Sequence, residues 1–302
     1  MKYSLRQLEV FIATAHSENI SRAADELAMS QSAASSALKE FESQFNIQLF
    51  DRAGKKLLLN EFGRLIQPKA EELLERAREL ENLLNVHAHP DSAPGGSLKV
   101  GATLSIGNYL VSGFIARYMA ENPGAHVKLE VANTAHIVEM VSHFELDVGL
   151  IEGEVHHPDL DITRWREDDL VVFCAPTHPY AGLSSLAEQH LLDAVWILRE
   201  EGSGTRQAFD RAMYGLLPRM KVLMELQHTE AIKRSVEAGL GIGCLSEITL
   251  LDSFRRGSLV PLKTPGRNFH RFFYFIVHKQ KYRSTGLERW LTICREEKGP
   301  RP

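Results

Sequence analysis

Gln31, Ser32, Ser35, Ser36 and Lys39 follow one another at spacings of one, three, one and three. On a helix they share one face, small and polar with a single cation. That chemistry suits the edges of base pairs. Glutamine pairs with adenine, serine is permissive, and lysine holds guanine or phosphate. A second set fits an anion. Thr103 and Ser105 close the apolar run 98–103, and Gly202-Ser203-Gly204-Thr205 leads into an amphipathic segment. Hydroxyls and N–H groups at a helix start, with glycines that allow close approach, make a cradle for a small oxyanion or carboxylate. Taken singly, Ser105 reads as an N-cap and GSGT as a turn with capping hydroxyls. Taken together, two such loops lie beyond the carboxyl ends of strands, where open α/β sheets bind ligands. Thr134 and His228, each starting a helix after a strand, are further lining candidates. Arg206 reads as a partner for the ligand, or equally for Glu200 or Glu201.

These groups need elements to hold them. Ala23, Ala24 and Leu27 mark a short helix, Met29 a turn, and Ser30 the cap of a second helix. On that second helix Ala34, Leu38, Phe41 and Phe45 form one apolar stripe. Two short helices joined this way predict a helix-turn-helix, whose second helix enters the DNA major groove. Before it, Ser4 and Gln7 form a capping box for a helix with the stripe Leu5, Leu8, Phe11, Ile12 and Ala15. After it, Ala53-Gly54-Lys55 reads as a turn between two short strands. This would be a wing laying Arg52, Lys55 and Lys56 against phosphates; the bland alternative is a hairpin with solvated charges.

Ile66, Ala70, Leu73, Ala77, Leu80 and Leu84 step by four and three, a heptad seam expected to pair with a second copy of the chain. The alternative is a helix packed on its own effector half. Pro68 predicts a bend there. Residues 87–97 are rich in Pro, Gly, Ser and Ala and read as a hinge. Beyond them, short apolar runs (98–103, 127–131, 148–151, 170–175, 194–198, 222–226, 241–245 and 272–277) alternate with amphipathic segments. Alternation of this kind predicts a mostly parallel sheet covered by helices, long enough for two α/β lobes sharing a cleft.

Composition narrows the function. The 302 residues carry a net charge of −4, and residues 1–60 hold seven basic and seven acidic side chains. DNA binding therefore rests on local placement and on two copies acting together, since a bulk basic footprint is excluded. No apolar run reaches membrane length, and MKYSLRQLEV lacks a secretory signal, which predicts a cytoplasmic protein. Cys174, Cys244 and Cys294 read as packed thiols. His87, His89, His156 and His157 lack partners at metal spacing, so neither metal nor cofactor is expected. No P-loop, dinucleotide fingerprint, G-x-S-x-G elbow or H-E-x-x-H appears. An α/β enzyme and an effector-free architectural DNA binder remain the alternatives to a ligand-responsive regulator.

In order and length the whole chain resembles a LysR-type transcriptional regulator. The resemblance is carried by FIATAHSENISRAADELAMSQSAASSALKEFESQFNIQLFDR, GATLSIGNYLV, WREDDLVVFCAPTHP and EAGLGIGCLSE. It implies a winged helix-turn-helix over 1–60, a dimerising helix over 61–88 and a hinge over 89–96. It further implies a two-lobed effector domain of periplasmic-binding-protein type over 97–302, with lobe I at about 97–165 and 268–298 and lobe II at about 166–267. Such proteins are usually homotetramers that bind double-stranded promoter DNA and answer a small co-inducer. EGSGTR is similar to members sensing sulfur anions or small phosphorylated or carboxylated metabolites, which makes sulfite or sulfate the leading named effector. The family commonly has Pro at Ser32, Arg at Ser36 and Thr at Asn60. Loss of that Arg shifts the weight of DNA contact to Gln31, Ser35, Lys39 and Arg52.

Overall fold

The computed structural model describes residues 2–54, 56–88 and 97–296; Lys55 of the expected wing and the expected hinge 89–96 lie outside the described residues. Helices α1 (Leu5–Ser17), α2 (Ile20–Glu26) and α3 (Gln31–Phe45) are followed by strands β1 (Phe50–Ala53) and β2 (Lys56–Leu59). Ser4 and Gln7 close the predicted capping box on α1. Asn19 and Ser30 accept from free N–H groups at the starts of α2 and α3. Gly54, at φ 65, allows the tight reversal between the antiparallel strands β1 and β2. Leu8, Phe11, Ala24, Ala34, Leu38 and Phe41 fill the core. Phe45 and Leu5, both expected inside, are 41 % and 44 % exposed. They sit at the edge of a core too small to cover them, and Phe45 instead packs edge-on to Phe41.

Helix α4 (Glu61–Ala88) runs 28 residues, unbroken at Pro68. Its expected seam divides. Ala70 is buried with Leu74 beneath the helix-turn-helix and Ile66 packs against them, whereas Leu73, Leu80 and Leu84 are exposed. Ile66, Ala70 and Leu74 cover the helix-turn-helix core, while Phe62, Leu73, Leu80 and Leu84 point outward on another side of α4.

The second half comprises β3 (Ser97–Thr103), α5 (Leu104–Tyr109), α6 (Val111–Glu121), β4 (His126–Ala132), α7 (Thr134–Ser142) and β5 (Val148–Glu152). Then come β6 (Leu160–Cys174), α8 (Glu188–Asp193), β7 (Val195–Arg199), α9 (Gly204–Ala212), β8 (Lys221–Leu226) and α10 (Thr229–Glu237). The last elements are β9 (Ile242–Ser246), α11 (Glu247–Arg255), β10 (Val260–Leu262), β11 (His270–His278) and α12 (Thr285–Glu296). Strand order is β4-β3-β5-β11-β6-β9-β7-β8, with β10 on β6.

The sheet is less parallel than the alternation predicts. β4-β3-β5 and β9-β7-β8 are parallel trios, but β6 and β11 run antiparallel to their neighbours. Those two long strands join the trios, so each trio builds its own lobe. Phe114 and Trp290 centre one core, and Trp196 and Phe209 another. Among the described residues, no helix is long and apolar enough to cross a membrane.

Candidate functional site

On α3, Gln31, Ser32, Ser35, Ser36 and Lys39 are all exposed, while Ala34, Leu38 and Phe41 anchor the opposite side. Arg52 is exposed on β1. Lys56 is placed differently from expectation: its ammonium pairs with Glu18, just beyond the end of α1. The pair fastens the hairpin to α1 while the Lys56 side chain stays largely exposed.

Thr103, Ser105 and Thr205 come together, and the group they surround is the chain's own carboxylate. Glu152, at the end of β5, is buried and points among both loops. Its Oε1 accepts from Thr103 Oγ1 and from the Ser105 N–H, both at 2.9 Å. Its Oε2 accepts from Thr205 Oγ1 at 2.8 Å and pairs with the Arg271 guanidinium at 2.9 Å. Arg271 Nε reaches Asp168 at 2.7 Å, and Ser246 Oγ donates to the same carboxylate at 2.6 Å. Thr103 belongs to one lobe and Thr205 to the other, so Glu152 is the group around which the lobes close.

The remaining loop residues bring the lobes together. Thr134 Oγ1 donates to the Glu152 carbonyl at 2.9 Å and accepts from the Gly204 N–H at 3.1 Å. Ser203 Oγ accepts from the Thr205 N–H and acts as the cap of α9. Gly204 is required by space: a Cβ there would stand 1.8 Å from the Glu152 carbonyl oxygen. Of the residues expected to line a ligand site, Thr134 and Gly204 thus bond across the lobes and Ser203 caps α9. His228 is exposed, with no capping bond; Thr229, its neighbour, is the buried residue, and its Oγ1 has no hydrogen-bond partner. Arg206 pairs with Asp210 at 2.8 Å and Glu225 at 2.6 Å, not with Glu200 or Glu201. These carboxylates lie on its own helix and on the adjacent strand, both within easier reach.

Electrostatics make Glu152 a committed anion. Burial pushes its pKa up, but Arg271 and Arg199 together with the Thr205 and Ser105 hydrogen bonds outweigh that and hold it at about 2. Asp168 goes the other way, raised by burial despite Arg271. Arg271 Nη2 is buried without a hydrogen-bond partner, which leaves donor capacity in the cleft. Arg199, 2 % exposed, is neutralised by Glu200 at 2.8 Å. Sequence reasoning missed Glu152, Asp168, Arg199 and Arg271. Two signals were present: a carboxylate closing the apolar strand VGLIE, and a cation inside the apolar strand HRFFYFIVH.

Residues 5–64 match the family described as bacterial regulatory helix-turn-helix protein, lysR family, and residues 91–299 match the LysR substrate binding domain. The chain is 42 % identical over 301 residues to the uncharacterized HTH-type transcriptional regulator YeiE of Escherichia coli K12, covering 100 % of both. Among solved structures it resembles a full-length OxyR variant from Pseudomonas aeruginosa, with a TM-score of 0.71 and 22 % identity over 97 % of this chain and 98 % of that one. It also resembles the regulatory domain of Synechocystis CcmR in complex with 2-PG, with a TM-score of 0.62 and 28 % identity over 66 % of this chain and 96 % of that one.

Proposed function

This chain belongs to the LysR-type transcriptional regulators, DNA-binding proteins with an effector-binding domain and not enzymes, and we propose that it is switched by a small oxyanion competing with Glu152 for the interlobe cradle. The observation that carries this reading is the donor set itself. Two hydroxyls, one backbone N–H and one guanidinium converge on two carboxylate oxygens, with lobe I supplying Thr103 and Ser105 and lobe II Thr205. Such an array suits sulfite, sulfate or a small carboxylate. The CcmR regulatory domain was solved in complex with 2-PG, which supports an effector bound by this domain.

A second anion beside ionised Glu152 is disfavoured. Two unit charges 4 Å apart at an effective dielectric of 20 repel by about 4 kcal/mol. Either Glu152 leaves the donors or the pair takes up a proton. Sulfite, which carries a proton near neutral pH, meets that demand more readily than sulfate. Because only a ligand with different affinities for two arrangements can shift them, exchange of the internal for the external anion supplies the switch.

On the DNA side, Gln31, Ser32, Ser35, Ser36 and Lys39 read base edges and Arg52 holds phosphate. The exposed Phe62, Leu73, Leu80 and Leu84 along α4 offer a second copy a continuous apolar seam. Two reading heads so joined match a pseudo-palindromic promoter site, and two such dimers make the tetramer. A cytoplasmic location accords with this role. The test is thermal melting of the whole chain with sulfite, sulfate, phosphate and acetate, with chloride as control. A saturable rise with one oxyanion is expected; no rise with any of them overturns the reading.

A further inference from the structure

Helix α4 carries a second stripe besides its apolar one. Gln67, Glu71, Glu75 and Glu79 recur every four residues and face the chain's own lobe I. Gln67 Nε2 donates to the His143 carbonyl at 3.4 Å and to Glu71 at 3.2 Å. Glu79 accepts from the Tyr282 hydroxyl at 2.9 Å and from the Thr285 N–H at 3.3 Å. Arg76 lies over the Tyr282 ring, 4.6 Å from its centre. Between these contacts sits Lys281, nearly buried, its ammonium 2.7 Å from Asp147. Burial opposes that charge, but Asp147, Glu71 and Glu75 more than offset it and keep the lysine pKa above its usual value. His16 Nε2 is 2.9 Å from Glu71, which ties α1 into the same network.

The receiving pad has a particular address. Asp147 immediately precedes β5, and β5 ends at Glu152. Lys281 follows β11 by three residues, and β11 carries Arg271 near its start. β5 and β11 pair directly, Glu152 opposite Phe273 and Gly149 opposite Ile276. One rigid strand pair therefore holds the cleft's ion pair at one end and the pad under α4 at the other, roughly 17 Å away for a five-residue strand.

We propose that the polar stripe of α4 and the Asp147–Lys281–Tyr282 pad form the joint that reports the state of the cleft to the DNA-binding helices. A shift of Glu152 or Arg271 moves β5 and β11 along their length, and the pad moves α4 through Glu71 and Glu79. The apolar stripe of α4 stays available to a second copy, so each face of the helix has its own occupant. What joins the two sites is spatial, an unbroken chain of paired strands and ion pairs, and amide hydrogen exchange supplies the test of coupling.

This inference rests on the reading of the cleft as the effector site, yet its test needs no effector. Amide hydrogen exchange is followed on the full-length chain carrying Glu152→Gln or, as a milder cleft perturbation, Thr205→Val. Each is compared with the same variant that also carries Glu71→Ala, Glu79→Ala and Tyr282→Phe. With the joint intact, exchange at 67–79 and at 279–285 changes by at least about five-fold, the low end of ordinary coupling. With the joint broken, the change persists at 148–152 and disappears at 67–79. An equal change at 67–79 with and without the joint overturns the proposal, and so does no change there in either cleft variant. A failed oxyanion melt alongside a positive exchange result removes the effector reading and leaves the joint standing.

Discussion

Replacing Glu152 by glutamine removes one charge and almost no volume, so its effect isolates the electrostatics of the cleft. The folded protein holds the Glu152 carboxyl at about 2 against an ordinary 4.5. At about 1.4 kcal/mol per pKa unit, ionised Glu152 contributes about 3 kcal/mol of stability at pH 7. A glutamine mimics the protonated acid and forgoes that contribution. For a domain of this size the loss corresponds to roughly 6–12 °C in melting temperature. Trp165, Trp196 and Trp290 all lie in the effector half, so tryptophan fluorescence follows that half alone. The pH dependence carries a sign. A folded pKa below the unfolded one gives stability that is fully present above about 4.5 and lost as pH falls toward about 2. The gap between wild type and Glu152→Gln therefore narrows across that window. Asp168, raised by burial and in part by Glu152 itself, has the opposite sign, and the glutamine relieves the Glu152 share, which trims the gap without reversing it. Equal melting at pH 7, within about 1 °C and with no pH dependence in the gap, would refute the reasoning.

Other outcomes follow from the same geometry. Lys39→Ala and Arg52→Ala each weaken promoter binding and lower the slope of log affinity against log salt by about one where a phosphate contact is lost; gel shifts across a salt series read this, and unchanged slopes remove both residues from the interface. Thr103→Ala with Thr205→Ala takes away two donors to the cradle, each worth about 1 kcal/mol. Oxyanion-induced stabilisation is then lost while DNA affinity without anion is retained, and an unaltered melting response contradicts the cleft assignment. Gly204→Ala drives a Cβ into the Glu152 carbonyl and holds the lobes apart at a cost of about 1–3 kcal/mol, visible as a lower tryptophan-detected melt.

Much of this molecule was legible in its residues, and the exceptions are instructive. Ser4 and Ser30 announce helix starts because their side chains can do locally what the backbone needs, while Asn19 does the same for α2 and went unread. The runs 148–151, 170–175, 241–245 and 272–277 announce strands because burial on both faces leaves no polar position, whereas the edge strands β4 and β8 keep Lys128, Glu130 and Glu225 among their apolar residues. β6 escaped over its first ten residues: LDITRWREDD is largely polar because most of it is exposed or half-buried, and only LVVFC beyond it reads as core. The two loops of the cradle were visible through their hydroxyls and glycines. Their occupant was not, because a lone glutamate at a strand end reads as a solvated terminus until folding brings Arg271 to it from 119 positions away. Heptad counting on α4 likewise found one stripe and passed over the second, since glutamates on a helix ordinarily face water.

Calorimetric titration of sulfite into wild type and Glu152→Gln separates competition between an external oxyanion and Glu152 from independent binding. Sulfite is expected to bind at least about tenfold tighter to the glutamine variant, from relief of like-charge repulsion. Proton uptake is expected in wild type alone, read from the dependence of the heat on buffer ionisation. Equal affinities with no proton uptake in either protein would contradict competition.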